Sequence, residues 1–155
     1  MSNISESRAR AVADLAQGTI LATVEIAAPP ERVFAAISSS EIVKWWVRPG
    51  VFDTREWSGD VRVGGRWRTT GVARGEPYAL EGEYLEVDPP RKLVHTWHRP
   101  GAPGAPSTVT YLLEPIAGGT LVTLRHTGIA SREQNASVSQ GWETSFEHLC
   151  RALAT

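Results

Sequence analysis

Residues 131–153, SREQNASVSQGWETSFEHLCRAL, constrain the fold more than any other stretch of this chain. Val138, Trp142, Phe146, Leu149 and Leu153 recur at steps of four, four, three and four. That spacing lines them up on one stripe of an α-helix, with Ser139, Gln140, Glu143, Glu147 and Arg151 falling mostly elsewhere. Ser131, three residues before Gln134, has the form of a capping box, so the helix starts there or one turn later. Almost everything from residue 19 to residue 127 reads as β-strand. A long helix with one apolar stripe needs an apolar surface to lie on, and a sheet of that size needs a cover. The pattern therefore implies an α+β fold in which a C-terminal helix and an antiparallel sheet bury each other.

Composition narrows the function classes. The 155 residues suit one domain, a size that buries about two-thirds of the unfolded surface. Hydrophobic residues make up 41% and charged residues 21%, with a net charge of −1, and no basic stripe points to nucleic acid. A single cysteine, Cys150, excludes an internal disulfide and a cysteine-based zinc cluster. Inside the C-terminal helix it reads as a small buried hydrophobe rather than a reactive thiol. No apolar run reaches the roughly 20 residues of a membrane span and no signal peptide is evident, so the expected location is cytoplasmic. Six tryptophans, Trp45, Trp46, Trp57, Trp67, Trp97 and Trp142, are many for this length. Each pairs a large apolar area with an N–H that wants a partner, a combination suited to pocket walls and interfaces as well as cores.

Residues 1–18 read as an N-terminal extension, a short helix or a tail, with Val12 and Leu15 three apart. Residues 19–155 read as a single domain. Thr19 to Ala27 alternates as the first strand, and Pro29-Pro30 opens a short helix with Val33, Phe34 and Ile37 inward. Ser40 caps a second short helix, Glu41 to Trp46. Residues 49–62 read as irregular, carrying Phe52 and Trp57. Strands then follow at Arg66–Ala73, Ala79–Val87, Leu93–His98, Thr108–Leu113 and Leu121–His126, divided by Gly- and Pro-rich turns. The faces of Ala79–Val87 stay open, because Tyr84 and Leu85 are both large and adjacent.

The segments PPERVFAAIS, EIVKWW, VGGRWR, GEYLEVDPPRKLVHTWH, GGTLVTLRHTG and QGWETSFEHL occur in this order. Together they resemble the START-like (SRPBCC) superfamily and, within it, the branch named after the activator of the heat-shock-protein-90 ATPase. The resemblance spans about residues 19–153. It implies a helix-grip (START/Bet v-like) fold: a curved antiparallel sheet wrapped around the long C-terminal helix, two short helices after the first strand, and a cavity between sheet and helix. It implies binding of a hydrophobic or aromatic, lipid- or polyketide-like small molecule there. A cyclase, aromatase or hydrolase using the same cavity, a chaperone-ATPase activator and a homodimer are the alternatives it leaves. A fold of this kind hosts many activities, so function has to be argued from the site.

Strand parity and the helix stripe nominate the cavity residues: Trp67, Thr69, His95, Trp97, Tyr111 and His126 from the sheet, with Trp142 and Phe146 from the helix. Trp45, Trp46, Phe52 and Trp57 are placed to close the mouth. Mostly apolar walls with a few polar groups describe a small-molecule pocket, and a core simply filled by those rings is the competing arrangement. His95 and His126 share the inward parity. Each either contacts a ligand or is an ordinary core histidine satisfied by a backbone carbonyl, Tyr111 or Thr69. No nucleophile elbow, phosphate loop or inward carboxylate pair supports catalysis. His95, His98, His126 and His148 do not share a face, so neither a metal nor another cofactor is expected.

Overall fold

The computed structural model describes residues 9–14, 16–129 and 131–153. Nine antiparallel strands form one curved sheet in the order β1-β2-β9-β8-β7-β6-β5-β4-β3, and helix α3 (Arg132–Leu153) lies in its concavity. The strands are β1 (Arg10–Asp14), β2 (Thr19–Ile26), β3 (Val47–Arg48), β4 (Phe52–Gly59), β5 (Arg66–Ala73), β6 (Glu76–Asp88), β7 (Lys92–Trp97), β8 (Ser107–Ile116) and β9 (Gly119–Thr127). Helices α1 (Pro30–Ile37) and α2 (Ile42–Trp45) follow β2. This is the helix-grip arrangement.

Helix α3 begins as its sequence dictates, with the Gln134 N–H donating to Ser131 Oγ at 3.2 Å. The stripe of Trp142, Phe146, Leu149 and Leu153 is buried, and Val138 packs at its edge. Each fully buried leucine or phenylalanine contributes roughly 1.5–3 kcal/mol, so the stripe anchors the domain. The buried surface of α3 is wider than the stripe. Asn135, Ser139, Gly141, Ser145 and Cys150 are buried beside it, because a sheet that curls around a helix covers more than one face. The Cys150 thiol donates to the Glu25 carbonyl at 3.5 Å, the behaviour of a small core residue.

Two expectations change, and one question left open is settled. The N-terminal segment carries an edge strand, β1, rather than a helix. Its RAVAD alternation pairs Arg10–Asp14 with Thr19–Thr23 of β2, and Val12 is 70% exposed on the outer face. Leu15 and residues 1–8 lie outside the described residues, as do residues 154–155 of the predicted single domain. Phe52 and Trp57 sit on a strand, β4, which pairs with β5 across a bulge between Thr54 and Glu56. That bulge interrupts the alternation that would have revealed the strand. A second bulge at Leu85 settles the faces of β6: Tyr84 pairs with His95, Glu86 pairs with Val94, and the extra residue between them turns outward. Tyr84 is buried and Leu85 exposed.

In strand β6, a Cβ added at Gly82 would collide with the Thr96 carbonyl and crowd the Trp67 indole nitrogen. Glycine there lets the backbones close up and leaves Trp67 room to cross its strand partner.

Candidate functional site

Between α2, the β4–β7 half of the sheet and α3 lies a cavity of about 40 Å³. That volume holds about three waters. Its deep wall is buried: Trp45, Trp67, Thr69, Tyr84, His95, Tyr111 and Trp142. Half-buried Ile42, Trp57, Leu80 and Trp97 line the side nearer solvent. Ile37 and Trp46 complete the lining.

Rings set the shape of this space. Trp46 packs on Trp142 with centroids 4.5 Å apart, on Phe52 at 5.2 Å and edge-on to Trp97 at 6.1 Å. Trp45 meets Trp46 and Phe146 at 6.3 and 6.4 Å. Such edge and tilted contacts are favoured by ring quadrupoles beyond simple burial. The indole nitrogens fix several rings: Trp45 donates to the Ala36 carbonyl at 2.9 Å, and Trp67 to the Thr96 carbonyl at 3.2 Å.

The two histidines play different parts. Trp142 Nε1–H donates to His126 Nδ1 at 3.1 Å, so that nitrogen carries a lone pair and the proton sits on Nε2. Nε2–H then donates to Ser107 Oγ at 2.7 Å, and the Ser107 hydroxyl donates to the Trp97 carbonyl at 3.0 Å. Every polar atom of this chain is used, and the ring is fully buried. Serine beside histidine is no nucleophile–base pair here, because the imidazole offers the hydroxyl no lone pair. Burial, reinforced by His95, pushes the His126 pKa down to about 3, which keeps the ring neutral. His126 braces Trp97 and Trp142 behind the cavity.

His95 stands in the wall itself, with Trp67, Tyr84 and Tyr111 around it at centroid distances of 5.0, 5.9 and 6.0 Å. Its Nδ1 lies 2.9 Å from the Thr96 carbonyl. A carbonyl only accepts, so Nδ1 holds the proton and Nε2 presents a lone pair. Burial pushes the His95 pKa down to about 4, against the smaller upward pull of the Thr96 bond. Thr69, another lining residue, is 3% exposed and its Oγ1 is buried with no hydrogen-bond partner. Burial raises the pKa of Tyr84 and of Tyr111, so both phenols stay protonated at neutral pH. Among the described residues no Asp, Glu, Lys or Arg lines the cavity, and no group of metal-binding side chains occurs.

Of the residues nominated from sequence, Trp45, Trp46, Trp57, Trp67, Thr69, His95, Trp97, Tyr111 and Trp142 line the cavity. Phe52, Phe146 and His126 stand one layer back, each against a lining ring. Ile37, Ile42, Leu80 and Tyr84 line it without having been nominated. Tyr84 was hidden by the bulge, whereas Ile37 carries the inward signal of the α1 stripe.

These features define a class, a helix-grip domain with a small, aromatic-lined pocket between its sheet and its long helix. The profile of the family described as "Activator of Hsp90 ATPase homolog 1-like protein" matches residues 27–154, and the chain belongs to that family. Among solved structures it is similar to protein CV1439 from Chromobacterium violaceum, 28% identical over 89% of this chain and 98% of that one, with a TM-score of 0.82. Protein Ms6760 from Mycobacterium smegmatis shares the fold at 24% identity over 94% of this chain and 96% of that one, with a TM-score of 0.81. CalU16 from Micromonospora echinospora is 25% identical, covering 93% of this chain and 82% of that one, with a TM-score of 0.61. No curated protein matches the chain. No helix among the described residues is long and apolar enough to cross a membrane.

Proposed function

We propose that this protein binds a compact hydrophobic small molecule, aromatic rather than aliphatic, in the space between the sheet and α3. The observation that carries the reading is the convergence of six tryptophan rings and two tyrosines on one small cavity with no charged residue among the described residues of its wall. Proteins of this fold commonly bind hydrophobic ligands, and flat rings fit best against flat rings. Ligand pockets of drug size measure about 300–1,000 Å³, well beyond the 40 Å³ found here. The compact end of the range therefore fits best, and even a single ring requires the half-buried Trp97 and its neighbours to part. A lipid or polyketide would demand a larger opening.

The test is a titration of the ¹⁵N-labelled tryptophan indole resonances with toluene, an uncharged one-ring probe without hydrogen-bonding groups. Saturable shifts of Trp46, Trp67, Trp97 and Trp142, assigned by substitution, support binding in the cavity. Six unmoved indole signals up to the solubility limit of toluene would refute it.

A further inference from the structure

The polar atoms of the cavity carry information about the ligand that its apolar walls do not. His95 lies in the wall with Nδ1–H committed to the Thr96 carbonyl. Its other nitrogen is therefore an acceptor and nothing else, and no described residue donates to it. Thr69 Oγ1 lies in the same wall, 3% exposed and without a partner. A buried hydroxyl left unpaired costs stability, and the unpaired His95 lone pair is an acceptor awaiting a complementary group. The other polar side chains lining the space, the Tyr84 and Tyr111 phenols, are neutral. Neither an anion nor a cation would find a counter-ion there.

We infer that the site selects an uncharged aromatic ligand bearing a hydroxyl of the phenol type, whose O–H donates to His95 Nε2. This rests on the binding reading above and narrows it. The hydroxyl is the group that matters because His95 supplies only a lone pair. A ketone or a methyl ether accepts without donating and leaves that lone pair unmet. A carboxylate repels it and brings an unpaired charge into a dry space. A site built around a hydroxyl discriminates strongly against the analogue lacking it, because its own buried polar atoms are then stranded.

The experiment compares phenol, anisole, benzoate and tetramethylammonium with the toluene baseline on the intact protein, reading the tryptophan indole signals for affinity. The ¹⁵N resonance of His95 Nε2 reads the predicted hydrogen bond directly. Phenol is expected to bind at least about tenfold more tightly than anisole and to move the Nε2 resonance in the sense of a newly accepted hydrogen bond. Benzoate and tetramethylammonium are expected to bind more weakly than phenol. His95→Phe should abolish the preference for phenol over anisole, bringing the ratio of their affinities close to one. If that variant loses the dispersed indole spectrum of a folded protein, the wild-type series and the Nε2 shift decide alone. Equal affinities for phenol and anisole, tighter binding of either charged probe, or phenol binding with an unmoved Nε2 would overturn the inference while binding itself stands. Absence of response to every probe, toluene included, would overturn the binding reading and the inference with it.

Discussion

Mild acid should destabilise this protein strongly, through two buried histidines. His95 and His126 have pKa values near 4 and 3 in the folded chain, against 6.5 for an unperturbed histidine, and burial is the first cause of both shifts. Between pH 6.5 and pH 4 the unfolded chain therefore binds protons that the folded chain refuses. Stability is fully present above pH 6.5 and falls as the pH drops through that window. At pH 5 each histidine lies about 1.5 pH units below its unfolded pKa and still above its folded one. At 1.36 kcal/mol per unit, each removes about 2 kcal/mol, and the pair about 4 kcal/mol. Domains of this kind have roughly 5–15 kcal/mol in all. Urea unfolding, followed by circular dichroism at pH 7 and pH 5, should show the midpoint falling by about 2 M, taking a slope of about 2 kcal/mol per molar. His126→Gln keeps an acceptor for Trp142 and a donor for Ser107, so it should fold and show about half the acid loss. His95→Gln should behave likewise. A wild-type midpoint that moves by less than about 0.5 M, or variants that keep the whole pH dependence, would refute the assignment of neutral buried imidazoles.

Other consequences are local. Trp142→Phe keeps the ring but removes the N–H that His126 Nδ1 accepts, and should cost about 1–3 kcal/mol in urea unfolding at pH 7. The same substitution combined with His126→Phe should cost less than the two losses added together. Gly82→Ala places a methyl group against the Thr96 carbonyl. It should destabilise by about 2 kcal/mol or more and red-shift the tryptophan emission as Trp67 is displaced. Arg74 has a positive φ of 52° beside Gly75 at 81° in the β5–β6 hairpin. Asparagine tolerates that conformation better, so Arg74→Asn should raise the melting temperature slightly, by about 0.5 kcal/mol or less in stability.

The parts of the molecule legible in its sequence are those where one period runs uninterrupted. The α3 stripe, the α1 face and strands β2, β5, β8 and β9 repeat cleanly, and each is buried on the face its period names, whereas β7 buries Val94 on its other face as well. Period fails where an extra residue slips the register. The bulge in β4 concealed a strand, and the bulge at Leu85 concealed Tyr84 as a cavity residue. Strand β1 was missed for another reason. Five residues with one strongly exposed apolar side chain carry little pattern, and they become a strand only because the β2 edge stands open to them. The histidines mark the limit of parity arguments. Both point inward, yet only the partners around them distinguish His126, with both nitrogens used, from His95, with one nitrogen free, and those partners come from other strands and from α3.

The most direct test of the account is a crystal structure of the protein soaked with 4-bromophenol, with the bromine located by its anomalous signal. The account predicts one strong bromine peak inside the cavity among Trp46, Trp67 and Trp97, with the phenol oxygen within hydrogen-bonding distance of His95 Nε2. Bromine found only on the outer surface, with the tryptophan rings closed over an unchanged 40 Å³ space, would contradict it.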